Sequence, residues 1–181
     1  PPPPRMTANI YVHVPFCDGK CSYCGFYSVP AAPSLTRGYP ALVAEELDCC
    51  RSLHPDGACV PPRTLYFGGG TPALLGEDGL TALVGALARR LPLARLEEWT
   101  VEMNPASVTP GILACLRRLG VNRLSVGLQS LDDAALTRVG RRHTAAQALA
   151  AVALARRAGF DNTGADLIAG LPGVTPAQWL D

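Results

Sequence analysis

The sequence predicts an α/β fold, a parallel sheet or part of a (βα) barrel with about five βα units. Three observations predict it. Short apolar, strand-like runs alternate five times with longer helix-like segments. The helix-like segments carry start and stop signals, as in Thr109-Pro110 before one of them and Gly120 after it. Each strand-like run ends in an unusual Gly-, Pro- or Cys-containing motif, at the end where parallel α/β folds assemble their sites.

The elements follow in order. A strand is expected over Asn9–Val14, leading into a cysteine-containing loop, and a helix over Leu35–Leu53. In that helix Leu42, Val43, Glu46, Leu47 and Cys50 fall near helical spacing. His54–Arg63, punctuated by Pro55, Gly57, Pro61 and Pro62, reads as a loop. Thr64–Phe67 is a second strand ending in Gly68-Gly69-Gly70-Thr71-Pro72, and a helix over Asp78–Leu91 follows, with Glu77 and Asp78 at its positive end. Trp99–Met103 is a third strand, ending at Asn104-Pro105, and Arg123–Val126 a fourth, ending in Gly127-Leu128-Gln129-Ser130. A short helix near Asp132–Val139 and a long Ala-rich one over Thr144–Ala158 precede the fifth strand, Asn162–Ile168. Thr175-Pro176 opens a last helix.

Bulk properties set limits. At 181 residues, 48% hydrophobic and 17% charged, the chain can form one domain with a proper core. A net charge of +1 gives no electrostatic reason to expect nucleic acid as a partner. No apolar run approaches the length of a transmembrane segment. Pro1–Pro4 predict a disordered lead-in over residues 1–8, ahead of a core domain over 9–181. That start has neither the apolar stretch of a secretory signal nor the Arg-rich character of a transit peptide. With unpaired thiols, this points to a reducing, cytoplasmic setting. A first residue other than Met, and a last helix that stops at Asp181, suggest a piece of a longer protein.

The cysteines carry the strongest chemical signal. Cys17, Cys21 and Cys24 lie within eight residues, directly after a strand. Thiolates this close can converge on one metal centre. A [4Fe–4S] cluster normally takes four cysteines, so three would leave one iron open to a small molecule. A zinc site adding His13 is the alternative, although structural zinc usually draws on two separated ligand pairs. Inert thiols are another. Seven cysteines and no secretory signal speak against a disulfide framework. Cys49, Cys50, Cys59 and Cys115 lack ligand spacing and read as packed or surface thiols.

Other motifs are less specific alone. The glycine triplet can bring backbone close to a ligand and expose amides, or simply make a tight turn. It lacks a P-loop lysine, which disfavours nucleoside triphosphates. Glu102 and Asp166 are carboxylates inside apolar strands, costly to bury without a partner. They suit acceptance from a ligand hydroxyl or ammonium, or else they sit at solvated edges. Gln129 offers an amide at a strand end. Tyr11 and His13 share one face of the first strand, where a histidine is more often packed than ligating. Arg141-Arg142-His143 resembles a basic turn, and Arg142 and His143 are expected to be solvated.

Taken together, YxHxPFC, CxxxCxYC, GGGTP, VEMNP, NRLSVGLQS and ADLIAGLPG resemble the oxygen-independent coproporphyrinogen III oxidase-like family of the radical SAM superfamily, over residues 10–176. Within it the chain is most similar to the haem chaperone branch. The resemblance implies a partial barrel of the radical SAM type, with five of six βα units present. It implies that Cys17, Cys21 and Cys24 hold a [4Fe–4S] cluster, and that Tyr11, Gly69 and Glu102 line S-adenosylmethionine at the open iron. Tyr23, Gly70, Thr71, Gln129, Arg141 and Asp166 match positions around a second adenosylmethionine in the oxidase. The family's chemistry is one-electron cleavage of the sulfonium to methionine and a 5′-deoxyadenosyl radical, which in the oxidase initiates loss of two propionate carboxylates. The oxidase carries a further cysteine two residues after the third ligand; here that position is Phe26. The departure favours a haem chaperone that binds haem and delivers it to acceptor proteins, over a coproporphyrinogen oxidase.

Overall fold

The computed structural model describes residues 8–53 and 61–180. The proline lead-in, Cys59 and most of the loop expected over His54–Arg63 lie outside the described residues. The last two residues of that expected loop, Pro62 and Arg63, instead begin a strand.

Five parallel strands form one sheet in the order β1 (Ala8–Val14), β4 (Pro62–Gly69), β5 (Glu98–Met103), β6 (Arg123–Gln129) and β7 (Asn162–Leu167). Each unit adds its strand beside the previous one. Right-handed crossovers of this kind put all the connecting helices on one side, the geometry of a barrel wall. Among the described residues the sheet is open, not closed into a ring. The helices are α1 (Pro33–Leu53), α2 (Gly76–Ala88), α3 (Pro110–Leu119), α4 (Asp133–Arg138), α5 (Ala145–Arg157) and α6 (Pro176–Leu180). α1 packs on α2, and α2 on α3.

Alternation along the strands decides which face does what. Val12 and Val14, Leu65 and Phe67, Trp99, Val101 and Met103, and Leu124, Val126 and Leu128 are all buried in the core shared with the helices. Removing such side chains from water is the main source of the fold's stability, about 1.5–3 kcal/mol each. The intervening residues Tyr66, Glu102, Ser125 and Asp166 therefore share the opposite face. The cross-strand register pairs Glu102 with Ser125 and Gly127 with Asp166.

The local signals work as expected at several ends. Thr109 accepts from the Ile112 amide, and Gly120 closes α3 in the left-handed conformation. Thr144 and Gln147 form a reciprocal capping box on α5. Two details differ from the sequence reading. In α1 the buried residues are Pro40 and Ala44, with Val43 and Leu47 partly buried, while Leu42 and Cys50 face solvent. A buried face built of Pro and Ala has little hydrophobic signature. A two-residue parallel pair, β2 (Phe16–Cys17) with β3 (Val29–Pro30), is too short to show any period, yet it pins both ends of the cysteine loop.

Candidate functional site

The carboxyl ends of the strands and the cysteine loop enclose a cavity of roughly 500 Å³. Cys17, Cys21 and Cys24 line it together with Tyr23, Gly69, Gly70, Thr71, Glu102, Gln129, Arg141 and Asp166. Of the predicted site residues only Tyr11 stands outside the lining. Its ring stacks on Tyr66 with centroids 5.8 Å apart, and it is 54% exposed. His13 Nε2 faces the Tyr27 carbonyl at 2.9 Å and so carries the proton, leaving Nδ1 to accept from the Tyr11 hydroxyl at 3.2 Å. That packed, bonded histidine agrees with a structural role.

Glu102 occupies a central strand and is not a solvated edge residue. Its two oxygens have separate donors: the Tyr66 hydroxyl at 2.8 Å and the Gly69 amide at 2.9 Å. A carboxylate held on two fixed donors is a rigid acceptor with lone pairs still turned to the cavity. Asp166 lies on β7 and is exposed, with the Ser125 hydroxyl 3.0 Å from both its oxygens. Gln129 is the one non-glycine residue with positive φ among those described, at 68°, beside a register irregularity between β6 and β7. Backbone strain of this sort re-aims a side chain, and it concentrates at functional sites.

The amides of Gly69, Gly70 and Thr71 are already used within the chain. Gly69 N–H donates to Glu102, Gly70 N–H to the Val14 carbonyl at 2.8 Å, and Thr71 N–H to the Phe16 carbonyl at 2.7 Å. The turn is thus bound to β1 and β2, and a ligand group meeting it would be a donor, such as an ammonium, seeking carbonyl oxygen. The glycines are required by close approach within the chain. A Cβ on Gly70 would run into the Phe16 carbonyl oxygen, and one on Gly69 would meet the His13 ring at 2.5 Å. Gly70→Ala must therefore push β2 and the cysteine loop away; a loss of about 1–3 kcal/mol in denaturant unfolding is expected.

The basic turn is split. Arg142 is exposed, as expected, and lies 3.7 Å from Asp18. His143 is not solvated: it is only 5% exposed, its Nε2 donates to the Leu128 carbonyl at 3.1 Å, and its Nδ1 has no partner among the described residues. Burial holds its pKa below the ordinary value, so the folded ring is neutral near pH 7. Unfolding returns it to about 6.5, so the unfolded chain binds more protons in acid, and stability is lost as pH falls below that value. The melting temperature should drop more steeply with acidification in the natural chain than in a His143→Gln variant.

The described cysteines are all free: Cys17, Cys21 and Cys24 at the cavity, Cys49 and Cys50 exposed on α1, and Cys115 buried in α3. No three His, Cys, Asp or Glu side chains among the described residues stand close enough to share a single metal ion. Sulfurs that each hold a different corner of a cluster need not converge on one point, so three loop thiols at one cavity fit a [4Fe–4S] group. The Arg141 guanidinium adds to the fit. It points a donor at Cys21 Sγ from 3.9 Å, and its buried Nε lacks a partner among the described residues. Burial pushes the Tyr23 phenol up to about 12, so it stays a neutral donor and acceptor beside these thiols.

Sequence reasoning missed Tyr66, Ser125 and Lys20, which also line the cavity. Tyr66 and Ser125 lie on the same strand face as Glu102, a parity signal available once the strands are aligned.

The geometry is that of a three-cysteine loop above the carboxyl ends of the strands of an open, parallel sheet. The chain belongs to the radical SAM superfamily, whose family model matches residues 11–181. It is 38% identical over 167 residues to "Heme chaperone HemW" of Lactococcus lactis, covering 92% of this chain and 42% of that protein. It is also 38% identical over 184 residues to the mouse "Radical S-adenosyl methionine domain-containing protein 1, mitochondrial", covering 99% of this chain and 41% of that one. Among solved structures, coproporphyrinogen III oxidase from Escherichia coli, a radical SAM enzyme, superposes with a TM-score of 0.84 at 30% identity. That match covers 98% of this chain and 40% of the oxidase. The chain thus spans about two fifths of these relatives. No helix among the described residues is long and apolar enough to cross a membrane.

Proposed function

We propose that this chain is the cluster- and adenosylmethionine-binding part of a radical SAM haem chaperone, which binds haem and passes it to acceptor proteins in a reducing compartment such as the cytoplasm. The observation that carries the cofactor reading is the meeting of Cys17, Cys21 and Cys24 with the fixed Glu102 carboxylate in one cavity. At roughly 500 Å³ the cavity falls in the usual range for small-molecule sites. On this reading the three thiolates ligate a [4Fe–4S] cluster. Glu102 accepts hydrogen bonds from adenosylmethionine, the Gly69-Gly70 turn offers carbonyl oxygens to its ammonium, and Tyr11 braces Tyr66 behind them. Tyr23, Thr71, Gln129, Arg141 and Asp166 extend the cavity toward a second ligand. When bound, cluster and adenosylmethionine would supply reductive one-electron chemistry; the chain's own part is to hold and orient them and to limit access of water and oxygen.

The chaperone assignment rests on Phe26, an apolar side chain 63% exposed at the cavity where the oxidase has a further cysteine, and on similarity to proteins named as haem chaperones. The intact protein, reconstituted anaerobically with iron and sulfide, should bind haem yet make no protoporphyrinogen from coproporphyrinogen III with reductant and adenosylmethionine. Product over many turnovers would make it an oxidase instead.

A further inference from the structure

The cysteine loop is held from a distance. Its ends are fixed by the β2–β3 pair, but its middle rests on the segment between α4 and α5. Ser22 N–H donates to the Val139 carbonyl at 3.2 Å, and Cys21 Sγ lies 4.0 Å from the Gly140 carbonyl oxygen. The Asp18 carboxylate lies 3.7 Å from Arg142. Gly140 takes φ of 79°, and a Cβ there would sit 3.8 Å from the Cys21 Cα. This segment is itself anchored. Val139 is buried with Ala135 and Leu171, and His143 donates to the Leu128 carbonyl of the β6 end.

One side chain joins the two parts. Arg141 Nη2 donates to the Gly127 carbonyl at 2.6 Å, in the irregular end of β6 that carries Gln129, and Nη1 points at Cys21 Sγ from 3.9 Å. The three cysteines are therefore not equivalent. Of the three, Cys21 is the one with a guanidinium within hydrogen-bonding distance of its sulfur among the described residues.

Building on the cluster reading above, we infer that Val139–Arg142 is a clasp that presets the cysteine loop, and that Arg141 is a positioning residue which sets the electrostatic environment of the cluster through Cys21. Reduction adds negative charge to a cluster, and a cation or hydrogen-bond donor beside a ligating sulfur stabilises that charge. Arg141 thus raises the cluster's reduction potential. Because the same guanidinium holds the Gly127 carbonyl, the potential is tied to the conformation of the β6 end, where Gln129 lines the cavity.

The test is a redox titration of the intact protein with reconstituted cluster, without adenosylmethionine, read by absorbance and electron paramagnetic resonance. Arg141→Gln, which loses the charge, should shift the midpoint to a more negative potential at unchanged iron load. Arg141→Lys keeps the charge but cannot bridge sulfur and carbonyl with a planar fork, and should shift it the same way by less. If the Gln variant fails to load iron, the Lys variant alone decides. An unshifted midpoint in every iron-loaded variant overturns the inference, and a purely structural Arg141 would give that result. A natural protein that never assembles a cluster would instead overturn the cofactor reading and this inference with it.

Discussion

Replacing any one of Cys17, Cys21 or Cys24 with Ala is expected to abolish the cluster, leaving the anaerobically reconstituted protein with little or no bound iron. The argument is one of supply. Three thiols line the cavity, and no other described cysteine can substitute. Cys49 and Cys50 are exposed on α1, and Cys115 is buried in α3 against Thr81 and the Glu77 carbonyl. Cys115→Ala should accordingly leave iron content unchanged, at a modest cost in stability from the lost packing. Iron and sulfide analysis, with the visible absorbance of the cluster, reads both results. A full load in any single variant of the three would contradict the ligand assignment, and a clear loss in the Cys115 variant would reveal a missed ligand.

A second large effect is expected at Glu102. Glu102→Gln keeps the shape but removes the charge, and an amide cannot accept from both the Tyr66 hydroxyl and the Gly69 amide while serving a ligand. Hydrogen bonds to charged groups contribute about 1.5–3 kcal/mol, so adenosylmethionine should bind roughly ten- to a hundredfold more weakly. Equilibrium titration of the cluster-loaded protein measures this. Affinity within twofold of the natural protein would remove Glu102 from the site.

How much of this was legible in the sequence depends on the kind of signal. The cysteine loop could be read directly, because few structures need three cysteines at those spacings, whereas the glycine triplet alone left a tight turn open. The βα alternation was equally clear, with Thr109, Gly120 and Thr144 marking ends that the fold uses as caps. Tyr66 and Ser125 were not visible as site residues, since a Tyr or Ser in an apolar strand reads as packing until the register sets it beside Glu102. His143 was misjudged because two preceding arginines suggest a solvated turn. Its burial arises from the Leu128 carbonyl, 15 residues earlier in the chain. Whether the glycine turn exposes amides or only turns the chain was left open by the sequence, and its pairing with Val14 and Phe16 shows the Gly70 and Thr71 amides in use. In each miss the deciding partner lies far off in sequence.

The central claim is that three thiolates of one loop leave an iron open within reach of the adenosylmethionine cavity. The most direct measurement is the electron paramagnetic resonance spectrum of the reduced, reconstituted protein before and after adding adenosylmethionine, alongside its iron content. About four irons per chain and a spectrum that changes on addition are the results expected for a [4Fe–4S] cluster with an open site. One tightly bound zinc and no iron–sulfur signal, or a cluster spectrum indifferent to adenosylmethionine, would contradict it.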